Sequence, residues 1–91
     1  MTRITDKDLE RLVLLINKAN YTPEKPYDDQ GKAAIGNYHL DSAYGGVKLV
    51  RMVNAGGGIR EISTGGYGTK RELFCWMDAY LTGHKDGSIQ H

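Results

Sequence analysis

The sequence predicts an α+β fold in which a helix, three antiparallel strands and a second helix follow one another, with both helices packed on one sheet face. Apolar residues repeat at helical spacing near both ends of the chain. Between them lie three short runs rich in β-branched and aromatic residues. Nine of the twelve glycines lie between residues 45 and 83, where they punctuate these runs. The 91 residues are enough for a single domain, expected over 1–83, with a flexible C-terminal tail over 84–91.

The first helix is predicted to begin after Thr5, whose side chain is suited to cap a helix N-terminus. Asp6 and Asp8 follow in the first turn, where the helix dipole favours negative charge. One apolar face then comprises Leu9, Leu12, Val13 and Ile16. We expect the helix to end near Asn20, because Pro23 cannot continue it. A surface loop is predicted over 21–34.

The sheet is predicted from three runs, over residues 35–41, 47–53 and 59–63. In the first, Tyr38 and Leu40 alternate with polar residues, as in a half-buried strand. The second is apolar on both faces apart from Lys48 and Arg51, which favours a central position in the sheet. Turns are predicted at Gly45-Gly46 and over residues 54–58.

The last helix is predicted from a capping box, in which Thr69 and Glu72 bond each other's backbone N–H groups. The apolar residues that follow at helical spacing are Leu73, Trp76, Met77, Tyr80 and Leu81. Because this face must cover the sheet, we expect Trp76 to be substantially buried. Gly83 is predicted to end the helix.

The segment from Gly65 to Arg71 combines glycines, a helix start and two cations, which is the composition of an anion site. The candidate contact residues for nucleic acid, another anion or a protein partner are Tyr67, Gly68, Thr69, Lys70 and Arg71, supported by Lys48, Arg51 and Arg60. Residues 44–75 carry five Lys or Arg against two Glu, a local positive excess. The alternative interpretation is a tight turn with solvated surface cations.

The whole chain carries twelve Lys and Arg against eleven Asp and Glu, a balance that argues against an obligate nucleic-acid binder. The one cysteine, Cys75, excludes an internal disulfide and is interpreted as inert packing in a protein of the reducing cytoplasm. We expect no signal peptide and no membrane segment. The three histidines lack metal-ligand spacing and no nucleophile lies beside a base, so we expect no enzyme, no metal and no cofactor.

Four tyrosines, Tyr21, Tyr27, Tyr44 and Tyr67, fall in predicted loops. Tyrosines near Lys and Arg are typical of binding surfaces. We therefore expect these side chains to be exposed and to contribute to recognition of a partner.

Four segments resemble small proteins encoded by tailed phages and prophages. They are Ile4-Thr-Asp-Lys-Asp-Leu (4–9), Ile35-Gly-Asn-Tyr-His-Leu-Asp-Ser-Ala-Tyr-Gly-Gly-Val-Lys-Leu (35–49), Asn54-Ala-Gly-Gly-Gly-Ile-Arg (54–60) and Gly68-Thr-Lys-Arg-Glu-Leu (68–73). The resemblance implies a phage or prophage context and carries no activity or site residue with it.

The order helix, three strands, helix, with Gly68-Thr-Lys-Arg entering the last helix, also resembles the double-stranded-RNA-binding domain in topology. In that family such cations contact phosphates, and the matching positions here are Thr69, Lys70 and Arg71. The turn over 42–46 lacks that family's Gly-Pro-x-His pattern.

Two hypotheses follow from the sequence. The first is a small non-enzymatic phage or prophage accessory protein that binds a host protein in the bacterial cytoplasm, for example as an inhibitor of a host or defence complex. The alternative is a module that binds nucleic acid or an anionic ligand through the glycine loop and the start of the last helix. The sequence leaves monomer and homodimer open.

Overall fold

The computed structural model describes residues 3–63 and 66–89, with side chains described up to residue 83. Its elements are α1 (Asp6–Asn20), β1 (Tyr38–Ala43), β2 (Gly46–Met52), β3 (Ile59–Glu61) and α2 (Lys70–Ile89). The strands form an antiparallel sheet in the order β1-β2-β3. The predicted α+β fold and the α-β-β-β-α order are therefore confirmed.

Both helices pack on one face of the sheet. Leu49 pairs with Leu40, and alternation along the strands places Tyr38 and Val47 on this same face. The core there combines side chains of α1 (Leu9, Leu12, Val13 and Ile16), of α2 (Leu73 and Met77) and of the strands (Tyr38, Val47 and Leu49). On the opposite face Val50 and Met52 are also buried. The central strand is thus apolar on both faces, as predicted.

The start of α1 follows from local sequence. The Thr5 side chain accepts a hydrogen bond from the backbone N–H of Asp8, whose carboxylate accepts the N–H of Thr5 in return, at 3.3 and 2.9 Å. The helix ends at Asn20 as predicted, and the left-handed residue that closes it is Tyr21, with φ 56°. Its N–H bonds carbonyls of the last turn, as the usual left-handed cap does.

Asn17 of α1 closes the outer edge of β1. Its side-chain amide donates to the carbonyl of Tyr38 and accepts the N–H of the same residue, at 2.9 and 2.8 Å. The Thr22 hydroxyl donates to the same Asn17 oxygen. Asn17 is fully buried, so this pair of bonds replaces a neighbouring strand at that position.

The strands differ from the prediction at their ends. β1 begins at Tyr38 and not at residue 35, because Gly36 takes φ 95° and turns the chain. The first turn is Tyr44-Gly45, both with positive φ, and Gly46 already belongs to β2. β3 ends at Glu61 and not at residue 63. The N–H of Leu49 donates to the Ser63 hydroxyl and not to a backbone carbonyl, so the regular strand pairing stops there.

The last helix begins as predicted, with Thr69 and Glu72 exchanging two hydrogen bonds of 3.1 Å. Its buried face centres on Leu73 and Met77, and Trp76 is partly buried and packs against that core. The predicted end at Gly83 is wrong, since α2 continues to Ile89. A glycine inside a helix costs only about 1 kcal/mol, and no proline follows to stop it. Residues 90 and 91 of the expected flexible tail lie outside the described residues.

Candidate binding surface

The glycine-rich segment is held against the central strand. Gly68 and Val47 exchange two backbone hydrogen bonds of 2.9 Å, which extend the β3 side of the sheet towards α2. Glycine at 46 favours this contact, because a Cβ there would lie only 3.0 Å from the Gly68 carbonyl oxygen and from the Tyr67 Cβ, so that the segment would have to move slightly away. Gly65, where the segment begins, lies outside the described residues.

Tyr67 lies at the centre of a group of four side chains, which we call the tyrosine cluster: Asp41, Tyr44, Lys48 and Tyr67. The Tyr67 hydroxyl donates to Asp41 Oδ2 at 2.6 Å, and Lys48 Nζ lies 4.3 Å from the Tyr67 ring centroid. The Tyr44 ring meets the Tyr67 ring edge-on, with centroids 5.6 Å apart. The hydrogen bond to Asp41, followed by desolvation, raises the pKa of Tyr67 above its ordinary value.

The tyrosine cluster lies on the sheet face opposite the helices. Lys48 alternates along β2 with the core residues Val47 and Leu49, and Asp41 is its direct cross-strand partner on β1. The cluster is therefore built from the β1–β2 hairpin and from the segment that follows β3. It joins parts of the chain that lie 26 residues apart.

Tyr44 is the most exposed member of the cluster, with 96% of its surface accessible. Tyr44 and Gly45 have φ 54° and 75° in a two-residue hairpin, which is a type I′ turn. Asn, Asp or Gly is favoured at the first position of such a turn, since other L-residues are disfavoured at positive φ by roughly 1–2 kcal/mol. The side chain of Tyr44 is therefore not explained by the needs of the turn.

The predicted anion site at the start of α2 is partly occupied by the chain's own groups. The Glu72 carboxylate accepts the N–H of Thr69, and this bond holds the pKa of Glu72 below its ordinary value. Lys70 Nζ forms an ion pair of 3.1 Å with Asp6, which lies in the first turn of α1. Arg71 is exposed in the same turn of α2. The Thr69 N–H and the Lys70 ammonium are thus already paired with carboxylates of the chain, where an external anion would otherwise bind.

The other predicted cations divide between the two faces of the sheet. Arg51 lies on the helix side of the sheet, with its guanidinium carbon 5.2 Å from the centroid of the Tyr38 ring. Arg60 is its direct cross-strand partner, so two like charges face each other there. Lys48 lies on the opposite face. The eight predicted contact residues therefore divide into the tyrosine cluster with Gly68, the start of α2, and the Arg51–Arg60 pair.

A groove that the sequence did not suggest runs between α1 and the outer edge of β1. It is lined by Glu10, Val13, Leu14, Glu24, Tyr38, His39 and Leu40 and has a volume of about 390 Å³. Its charged lining residues, Glu10 and Glu24, are both acidic. Burial lowers the pKa of His39, which favours its neutral form. The groove depends on the packing of a helix against a strand edge, which no local motif encodes.

Cys75 is exposed on α2, so it does not pack in the core as its interpretation as inert packing implied. Across the described residues, no group of three His, Cys, Asp or Glu side chains could hold a metal ion. Neither helix, over its described part, combines the length and apolar character needed to cross a membrane. No protein-family model, curated protein or solved structure matches this chain.

Proposed function

We propose that this chain is a small non-enzymatic accessory protein of a phage or prophage, which acts in the bacterial cytoplasm by binding a host protein. Inhibition of a host or defence complex through occupation of its surface is the activity this implies. The phage context is supported by the resemblance of the segments over 4–9, 35–49, 54–60 and 68–73. The binding role is supported by the tyrosine cluster.

The observation that carries the proposal is the placement of Tyr44. An aromatic side chain with 96% exposure stands at a positive φ that Asn or Gly would fill with less strain. Beside it, Tyr67 is held by Asp41 and Lys48, so the neighbouring aromatic surface is already oriented. An exposed tyrosine beside a partly buried, oriented tyrosine and a charged side chain has the composition of interface hot spots.

Capture from lysates of several candidate bacterial hosts tests the proposal. The parent chain is compared with Tyr44→Asn, which keeps the turn, and with Tyr21→Asn. The control is matched, because Tyr21 is also left-handed and 95% exposed but follows α1 near the other end of β1. We expect one reproducible protein with the parent and with Tyr21→Asn, and its loss with Tyr44→Asn. Capture of no reproducible protein would contradict the proposal.

A second candidate function, binding of nucleic acid or another anion, is favoured by the Arg51–Arg60 pair. Facing like charges destabilise a sheet, and a bound phosphate would relieve their repulsion. Gel shifts with duplex RNA, duplex DNA and single strands at low salt test it. If nucleic acid binds there, Arg51→Gln with Arg60→Gln weakens binding to all sequences. The slope of the affinity against salt concentration then falls by the equivalent of about two phosphate contacts. Lys70→Ala with Arg71→Ala tests the start of α2 in the same way.

A further inference from the structure

The outer edge of β1 presents backbone groups that are available for pairing. Leu49 and Val47 direct their N–H and C=O groups to the β3 side, where they bond Ile62, Ser63 and Gly68. Their cross-strand partners Leu40 and Ser42 therefore direct their own groups outward, away from β2. In the part of the chain that the structure describes, these outward groups have no hydrogen-bond partner.

This open edge is blocked at the Tyr38 end of β1 and open towards the Tyr44 end. At Tyr38 the outward groups are occupied by the Asn17 amide, which fixes where an added strand must stop. At the other end β1 leads directly into Tyr44 of the tyrosine cluster. Ser42 is exposed, so the edge between these limits is open to solvent.

The groove beside this edge supplies the side-chain environment. Val13, Leu14 and Leu40 offer apolar surface, and Leu14 is 37% exposed. Glu10 and Glu24 give the groove negative charge, and neither Lys nor Arg is among its lining residues. A second copy of this chain would bring the same carboxylates with it, whereas a basic segment would be attracted.

We propose that β1 binds an extended, basic peptide segment of a protein partner as a fourth strand of the sheet. The segment pairs with the outward groups of Leu40 and Ser42, places apolar side chains against Val13 and Leu14, and directs Lys or Arg to Glu10 and Glu24. This rests on the proposed function and names the kind of segment that the partner supplies. Tyr44 then contacts the partner beyond the end of the paired segment.

The probe is a capped peptide of about seven residues that carries valine and lysine on one side of the extended strand and serine on the other, because Glu10, Val13 and Leu14 lie on one face of α1. Its binding to the whole chain is followed by nuclear magnetic resonance and calorimetry, beside an otherwise identical peptide with glutamate in place of lysine. We expect the amide signals of Leu40 and Ser42 to shift and to gain protection from exchange with the lysine peptide. The glutamate peptide should bind at least tenfold more weakly.

Two pairs of variants locate the site. Ser42→Pro removes the outward N–H and leaves the β1–β2 ladder intact, whereas Ser42→Ala keeps the N–H. Glu10→Lys with Glu24→Lys reverses the groove charge, whereas Glu61→Lys with Asp29→Lys makes the same change in net charge elsewhere. The first member of each pair should weaken binding at least tenfold, and its control should not. Circular dichroism verifies that every variant remains folded.

Several results would overturn the inference: no binding of the lysine peptide, binding without a change at Leu40 and Ser42, or equal affinity for parent and Ser42→Pro. Concentration-dependent dimerisation that Ser42→Pro abolishes would assign the edge to a second copy instead. A protein captured from lysate whose binding depends on Tyr44 but not on Ser42 would leave the proposed function standing and this inference refuted.

Discussion

Tyr21 and Tyr44 are the two non-glycine residues with positive φ in the described part of the chain, and both are almost fully exposed. Neither was identified from the sequence as a left-handed position, since nothing local distinguishes a tyrosine that caps a helix from one in an ordinary loop. Their exposure was predicted, because both fall in predicted loops. At this scale the two most exposed large hydrophobic side chains stand at the two left-handed non-glycine positions of the described chain.

Replacement of Tyr21 by glycine should therefore stabilise the protein. Glycine adopts φ 56° without the steric penalty of a Cβ, which outweighs the extra freedom it gives the unfolded chain. We expect a gain of about 0.5–1 kcal/mol in the free energy of unfolding, measured by urea denaturation. Tyr21→Ala, which keeps the Cβ, should show no such gain, and equal stability of the two variants would contradict the assigned strain.

Asn17, unlike Tyr21, is a side chain whose removal should destabilise the protein. Asn17→Ala leaves the N–H and the carbonyl of Tyr38 buried without partners, at about 1–3 kcal/mol each. We expect a loss of about 2–6 kcal/mol in the free energy of unfolding. Asn20→Ala is the comparison, since Asn20 is only partly buried and should cost less than about 1.5 kcal/mol. Similar losses for the two variants would show that the Asn17 bonds are not structural.

At the scale of elements, the helix starts were predicted correctly and the strand ends were not. Thr5 with Asp8 and Thr69 with Glu72 are contacts three residues apart, so the signal lies within one turn. The end of β3 depends instead on Ser63 bonding Leu49 across the sheet, which no spacing reveals. The burial of Asn17 and Asn37 was missed for the same reason, because their partners Tyr38 and Pro23 lie 21 and 14 residues away.

The capping box of α2 should make stability depend on acid. The bond from Thr69 N–H lowers the pKa of Glu72 in the folded state. Its contribution is therefore present above the ordinary glutamate pKa and is lost as the pH falls through the folded-state value. Glu72→Gln keeps the geometry without the charge. We expect the difference in melting temperature between parent and Glu72→Gln to be largest near neutral pH and to shrink on acidification, whereas a constant difference would contradict this origin.

At the scale of the whole molecule, two sheet faces have separate roles. The helices cover one face and supply the core, while the tyrosine cluster lies on the other at the end of the β1–β2 hairpin. The sequence identified Tyr67 and Lys48 as contact residues but grouped them with Arg51 and Arg60. Strand alternation places Arg51 and Arg60 on the sheet face opposite Lys48. It also left Asp41 out of the contact residues, because its bond to Tyr67 joins β1 to the segment before α2.

The central claim is that Tyr44 is kept for binding and not for folding. With the partner identified by capture, isothermal titration calorimetry on the parent and Tyr44→Asn measures this directly. The account predicts a dissociation constant raised at least tenfold, equivalent to about 1.4 kcal/mol, together with an unfolding temperature equal to or above that of the parent. Equal dissociation constants, with or without a change in stability, would contradict it.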